Sequence, residues 1–278
     1  MRIQHFIWTI SLTLLASCDL VNQDQNPQNE IPLNEIFSAP PSADNPGSMS
    51  SGWKVAFLEE EGIDLTSNFK EIEFSFSQNG ELNATSNQES VNGTWRFDRD
   101  TPKNELYLIF PAGSVLEELT EDWYIVMQTD NLIQLEYPEE GFTNHLVFTK
   151  NTTSPISTSS PQNATVADQL FEKVNTKSFS IESFWDAEDN MSSAFRNFEL
   201  QFNNLGRLEL KRPNQPSISG LWQVNFTQTE IFLDIELKQT GLIGELDEEW
   251  TLVQKSDGRI EFKEVEENEI YRLTLKRN

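Results

Sequence analysis

Lys70-Glu-Ile-Glu-Phe-Ser-Phe-Ser77 alternates polar and apolar residues without a break, so Ile72, Phe74 and Phe76 share one face. A period of two belongs to a half-buried strand, not to a helix. Asn79-Gly80 follows at once, and this dipeptide supplies the positive-φ residues of a tight hairpin. Outward from this stretch the pattern recurs at Trp53–Phe57, Glu81–Thr85, Val91–Phe97, Glu105–Phe110, Trp123–Met127, Leu132–Leu135 and His145–Phe148. Runs with one buried and one wet face predict antiparallel strands. Two short stretches, Leu65–Phe69 and Val115–Leu119, break the period and are expected to be helical.

The pattern is then repeated. Trp95 and Trp123 return as Trp222 and Trp250, each 127 residues later. Gly93-Thr-Trp95 matches Gly220-Leu-Trp222, and Leu116-Glu-Glu-Leu119-Thr-Glu-Asp-Trp123 matches Ile243-Gly-Glu-Leu246-Asp-Glu-Glu-Trp250. A unit of about 100 residues is a duplicated domain, because solenoid units run to only about 20–50. Earlier matches, such as Phe69 with Phe195 and Gly80 with Gly206, sit at an offset of 126, so one residue is inserted near Lys211–Pro216. The second copy predicts strands at Phe179–Ile181, Phe198–Phe202, Leu208–Leu210, Leu221–Phe226, Ile231–Leu237, Trp250–Val253, Ile260–Phe262 and Tyr271–Leu275. Ahead of them Val166, Leu170, Phe171 and Val174 have helical spacing, which predicts a short helix plugging or abutting the second domain. Eight short strands in succession predict an up-and-down sheet, and closing it removes both exposed edges. The expected fold is therefore all-β, two tandem eight-stranded antiparallel barrels, with a β-sandwich as the alternative.

The N-terminus sets the expected location. Arg2, an apolar stretch from Phe6 to Leu15 and small residues before Cys18 have the form of a secretory signal peptide. Cys18 is the only cysteine, and Leu15-Ala-Ser-Cys18 resembles the lipobox of bacterial lipoproteins. That resemblance implies a thiol carrying lipid such as palmitate, and a chain anchored to a membrane of the cell envelope, expected to be the outer membrane. The apolar stretch is shorter than the roughly 20 residues of a spanning helix. The expected organisation is a signal peptide over 1–17, a lipidated tether over 18–50, a first barrel over 51–150, a Ser/Thr/Pro linker over 151–164 and a second barrel over 165–278. A net charge of −25 argues against nucleic acid as a partner.

Gly52-Trp53-Lys opening the first strand, Gly93-Thr-Trp95 in a later one and the Leu116–Leu119–Trp123 spacing resemble the lipocalin-like lipoproteins of Bacteroidota. The second copy opens on Ser178-Phe179 instead. The resemblance implies a small barrel on a cell-envelope lipoprotein, in a family that largely lacks an assigned activity.

Catalytic chemistry is poorly supplied. After Cys18 the chain has one histidine, His145, so a Cys/His zinc site is not expected, and any Ser-His-acid triad must use that residue. Its counterpart in the second copy is Arg272, as for a solvent-facing cationic position. Glu118, Glu121 and Asp122 match Glu245, Glu248 and Glu249. They are expected to form a solvated turn, with a weak hard-cation site as the other reading. Asp186–Asn190 lacks the Gly and distal Glu of a calcium loop and is expected to be a turn. No catalytic residue, metal or cofactor is expected.

An eight-stranded barrel is just wide enough to be filled by its own side chains or to hold one small ligand. Trp53, Phe74, Phe76, Trp95, Phe97, Phe110, Trp123 and Phe148 are the inward candidates of the first copy, and rings at that density favour a filled core. In a hollow barrel, Trp53, Trp95, Trp123, Trp222 and Trp250 are the expected ligand contacts. The leading expectation is a non-catalytic envelope lipoprotein that binds a small apolar or glycan ligand or a protein partner. The alternative is a structural or assembly subunit with solid barrels.

Overall fold

Both copies close into barrels. The computed structural model describes residues 50–87, 89–98, 104–150 and 160–278, all within one compact unit. The first copy contains β1 (Ser50–Glu60), the two-residue β2 (Ile63–Asp64), β3 (Glu73–Phe76), β4 (Glu81–Thr85), β5 (Ser90–Asp98), β6 (Glu105–Ile109), β7 (Asp122–Thr129), β8 (Leu132–Glu139) and β9 (Phe142–Thr149). From β3 onward each strand pairs antiparallel with the next, and β1 pairs with both β3 and β9. The second copy follows the same path through β10 (Ser178–Asp186), β11 (Asp189–Asn190), β12 (Glu199–Phe202), β13 (Arg207–Arg212), β14 (Gln215–Phe226), β15 (Ile231–Glu236), β16 (Glu249–Lys255), β17 (Arg259–Glu266) and β18 (Glu269–Arg277). There β10 pairs with both β12 and β18 and closes the second barrel. Closure excludes the sandwich.

Two details differ from the sequence reading. The helix α1 spans Pro161–Val174, so its first residues were expected to be linker. Proline at the first helical position suits the fixed φ of its ring and gives up only an N–H that has no helical partner. The two stretches expected to be helical are helical, as 3-10 turns over Thr66–Phe69 and Val115–Leu119. β1 begins at Ser50, inside the expected tether. The signal peptide, Cys18, the rest of the tether and residues 151–159 of the linker lie outside the described residues.

The barrels are filled. In the first, Phe148 lies 5.3 Å from Phe74 and 5.7 Å from Phe76, and Phe76 lies 5.9 Å from Trp95, all edge to face. In the second, Phe184 packs on Phe195 at 4.8 Å and on Trp250 at 5.9 Å. Edge-on ring pairs align a ring's positive edge with its neighbour's negative face.

The repeated motifs have specific physical causes. Leu116 and Leu119 are fully buried on the 3-10 turn, and the Trp123 indole N–H donates to the Leu119 carbonyl at 3.1 Å. Trp250 and Leu246 repeat that bond at 3.2 Å. Leucines and tryptophan thus form one unit, with the indole satisfying a carbonyl that the turn cannot. The glycine of each Gly-x-Trp leaves room: a Cβ at Gly93 would lie 2.4 Å from the Ile109 carbonyl oxygen, and at Gly220 2.3 Å from that of Glu236. A bulge recurs in β7 and β16, at Ile125/Met127 and Leu252/Gln254.

Candidate functional site

The first barrel sits in a groove on the second. β14 is twice the length of β13, and β13 pairs with it only as far as Leu221. On the far side, Trp222 to Phe226 pair with β15. The remaining backbone edge is taken by the first barrel: Phe226 pairs with Asp64 of β2. Asn68 completes it. Its side-chain oxygen accepts from Val224 N at 2.8 Å, and its amide donates to Val224 O at 3.0 Å. One buried amide therefore satisfies both main-chain groups of a strand residue that has no strand on that edge.

Side chains extend the join. Leu205 holds φ at +58° and is only 5 % exposed, packed in the hydrophobic core of the first barrel. A left-handed backbone is disfavoured for a leucine, so the turn is strained to place an apolar side chain there. Its counterpart in the first barrel, Asn79, is exposed and well suited to a turn. Gly206 follows, and a Cβ there would lie 3.0 Å from that of Val115. Gln223 donates to Glu118 at 2.5 Å, and Arg207 meets Glu89 at 2.7 Å. On the rim, Lys70 bridges to Asp168 and Glu172 of α1 at 3.0 and 2.7 Å. Such half-exposed pairs set orientation more than they add stability. Glu118 is therefore not part of a solvated turn, as expected from sequence, but a contact between barrels.

The join concentrates acid. Burial pushes the Glu60 carboxyl up to about 8, aided by Glu118, Glu121, Glu139 and Glu61. Burial raises Asp64 to about 6 against the bonds from Thr66, with Glu59 and Asp168 adding to the rise. Asp234 is raised to about 7 by burial, then by Glu249, Glu236, Glu118 and Asp247. Beside the join, Glu248 is raised to about 7 by burial and by Glu264, Glu266, Asp247 and Glu245. Each of these carboxyls binds its proton more tightly folded than unfolded. Their contribution to stability is full below the ordinary carboxyl values and is lost as pH rises through the folded ones. The Tm is expected to be about 5 °C higher near pH 5 than near pH 8; a Tm that rises over that interval contradicts the assignment.

The same surface exists on the first barrel. The strand pairings place Gln78, Asn79, Gly80, Arg96, Tyr107 and Ile109 where the second barrel has Asn204, Leu205, Gly206, Gln223, Asp234 and Glu236. In the first barrel these residues line a groove of about 900 Å³ together with Thr94, Trp95, Phe97 and Asp98. The Arg96 guanidinium lies 4.0 Å above the Tyr107 ring, and Ile109 is 55 % exposed. A cation, an aromatic ring and an exposed aliphatic side chain here take the place of two acids and an amide. Alternation alone could have found these residues, since Thr94, Arg96 and Asp98 are the outward positions of β5.

The residues expected from sequence lie elsewhere. Trp53, Trp123 and Trp250 are fully buried, Trp222 is 1 % exposed and Trp95 8 %. They stand in the cores of their barrels, and Trp95, Trp123, Trp222 and Trp250 each pack against other rings. Lys150 caps the Trp53 ring at 4.6 Å. His145 is half-exposed on β9, with Glu136 at 3.6 Å. Asp186–Asn190 is a hairpin turn. Among the described residues no three His, Cys, Asp or Glu side chains are gathered as a metal ion requires, and no helix is long and apolar enough to cross a membrane. No protein-family model and no curated protein matches the chain.

Proposed function

We propose that the protein is a non-catalytic lipoprotein of the cell envelope, tethered through Cys18, whose two lipocalin-like barrels dock a protein partner on their outer surface. The observation that supports this reading is the reuse of one surface. On the second barrel the groove receives the turns Asp64–Asn68 and Val115–Glu118 of the first. On the first barrel its counterpart is lined by outward-facing Arg96 and Ile109. The partner it suits presents an apolar turn ending in a carboxylate, as Val115–Glu118 does, with that carboxylate meeting Arg96. The filled interiors favour such external docking over a small apolar ligand in either barrel.

The test is a photo-crosslinking side chain in place of Ile109 in intact cells, with Val253 on the second barrel as the control position. The expected result is a discrete protein adduct from position 109, absent from 253 and lost when Arg96→Glu is added. No adduct, or the same adduct from both positions, would overturn the reading. Adding a fatty acid to the purified protein is expected to leave its tryptophan emission unchanged; a saturable shift returns the barrel interior as the binding site.

A further inference from the structure

The second barrel repeats the turns through which the first one docks. Thr66 builds the first of them: its hydroxyl accepts from Leu58 N and its own N–H donates to Asp64, each at 2.9 Å. Ser192 makes the same two bonds, to Phe184 N and to the Asn190 side chain, each at 3.0 Å. The 3-10 turn Val115–Leu119 likewise recurs as Gly241–Leu246. At the 127-residue offset Leu242, Ile243 and Glu245 stand where the first barrel has Val115, Leu116 and Glu118. Their exposure differs. Val115 is 2 % exposed and Leu116 fully buried, whereas Leu242 and Ile243 are partly exposed and Glu245 is exposed. The join uses the turns of the first barrel and the groove of the second. An outward groove therefore remains on the first barrel, and a matching pair of turns on the second.

We infer that the partner of the first-barrel groove is the second barrel of another copy of this chain, with Glu245 of one copy on Arg96 of the next. The inference rests on that groove being a protein-docking surface, and names the protein. The contact follows the join residue by residue. Gln223 donates to Glu118 there, and their counterparts Arg96 and Glu245 form a charge-assisted pair. Leu242 lies on Gly80 as Val115 lies under Gly206. The residues that differ between the two grooves suit this occupant. Glu245 and Glu248 crowd with Glu264 and Glu266 at that end of the second barrel, so its turns bring negative charge. The second groove opposes such turns with Asp234 and Glu236, where the first has Tyr107 and Ile109. Like charges thus disfavour contact between two second barrels and select the first barrel. Ala194 stands at the place of Asn68, so the contact lacks the amide clamp of the join and is weaker and reversible. Groove and turns lie on different barrels of one chain, so the contact is heterologous and joins copies head to tail.

Mapping the adduct formed in intact cells by a photo-crosslinking side chain at Ile109 tests this. The expected adduct has twice the mass of the chain, with the crosslink in residues 241–248 of the second copy. An adduct with a different protein, or with another face of a second copy, overturns the inference and leaves the docking surface standing. No adduct overturns both. A charge exchange supplies the second arm, read by sedimentation equilibrium of the full mature chain. About 150 mM salt screens charges more than about 8 Å apart, which limits repulsion between chains of net charge −25. Arg96→Glu and Glu245→Arg are each expected to weaken self-association at least about tenfold, with the Tm unchanged. Both substitutions in one chain restore the pair with its signs reversed, and association is expected to return to within about threefold. Association indifferent to either substitution, or not recovered in the double variant, would contradict the assignment.

Discussion

Gly220→Ala is expected to unfold the second barrel at a much lower temperature than the unsubstituted protein. The added Cβ would sit 2.3 Å from the Glu236 carbonyl oxygen and 2.9 Å from Leu237 Cδ2. Neither neighbour is free to move. The carbonyl belongs to β15, whose Glu236 is the direct partner of Leu221, and Leu237 is 1 % exposed in the core. Separating the strands breaks the β14–β15 pairing at the point where Trp222 enters the barrel. The cost is about 3 kcal/mol or more, which lowers the Tm by about 6–12 °C in a body of this size. Gly93→Ala should act in the same way on the first barrel, where Ile109 O and the Phe110 ring are the obstacles. Circular dichroism melts decide it: a shift of under about 2 °C in both variants contradicts this account of Gly-x-Trp.

Asn68→Ala has the second large expected effect, on the coupling of the barrels. The substitution strips the Val224 N–H and C=O of their only partner across that edge in one step. Two main-chain groups left unsatisfied in a buried place cost about 2–4 kcal/mol together, in a join that also contains one strand bridge, Leu205, the Gln223–Glu118, Ser67–Asp168 and Asn175–Glu71 hydrogen bonds and rim ion pairs. Calorimetry is expected to show one unfolding transition for the unsubstituted protein and two for the variant. A single transition at an unchanged temperature would mean that the amide does not hold the join.

The barrels were legible in the sequence because their cause is local. Alternation at Lys70–Ser77 and its repeats sets which face is buried, and each ring named as inward-pointing is buried or packed on the core. The Leu-x-x-Leu-x-x-x-Trp spacing was visible too, though its reason, an indole capping a turn carbonyl, is a matter of geometry. The join was not legible. Asn68 and Asp64 serve a strand edge more than 150 residues away, and nothing in their own neighbourhood identifies it. Glu118 read as a solvated acid for the same reason. The start of α1 was hidden by composition, because Pro161-Gln-Asn163 looks like linker until Leu170 is seen in the core and Phe171 stacked on Trp222. Leu205 was the one available signal. It stands in a turn at the position of Asn79, and a leucine there is explained only by something for it to pack against.

The account rests on the two barrels being one body, with the groove of the second filled by the first and its counterpart turned outward. Nitrogen-15 relaxation of backbone amides in β3–β9 and in β12–β18 measures this directly. The account predicts one rotational correlation time and one diffusion tensor for both sets of strands, and two shorter times once Asn68→Ala is introduced. Different correlation times in the unsubstituted protein, each that of a barrel tumbling alone, would contradict it.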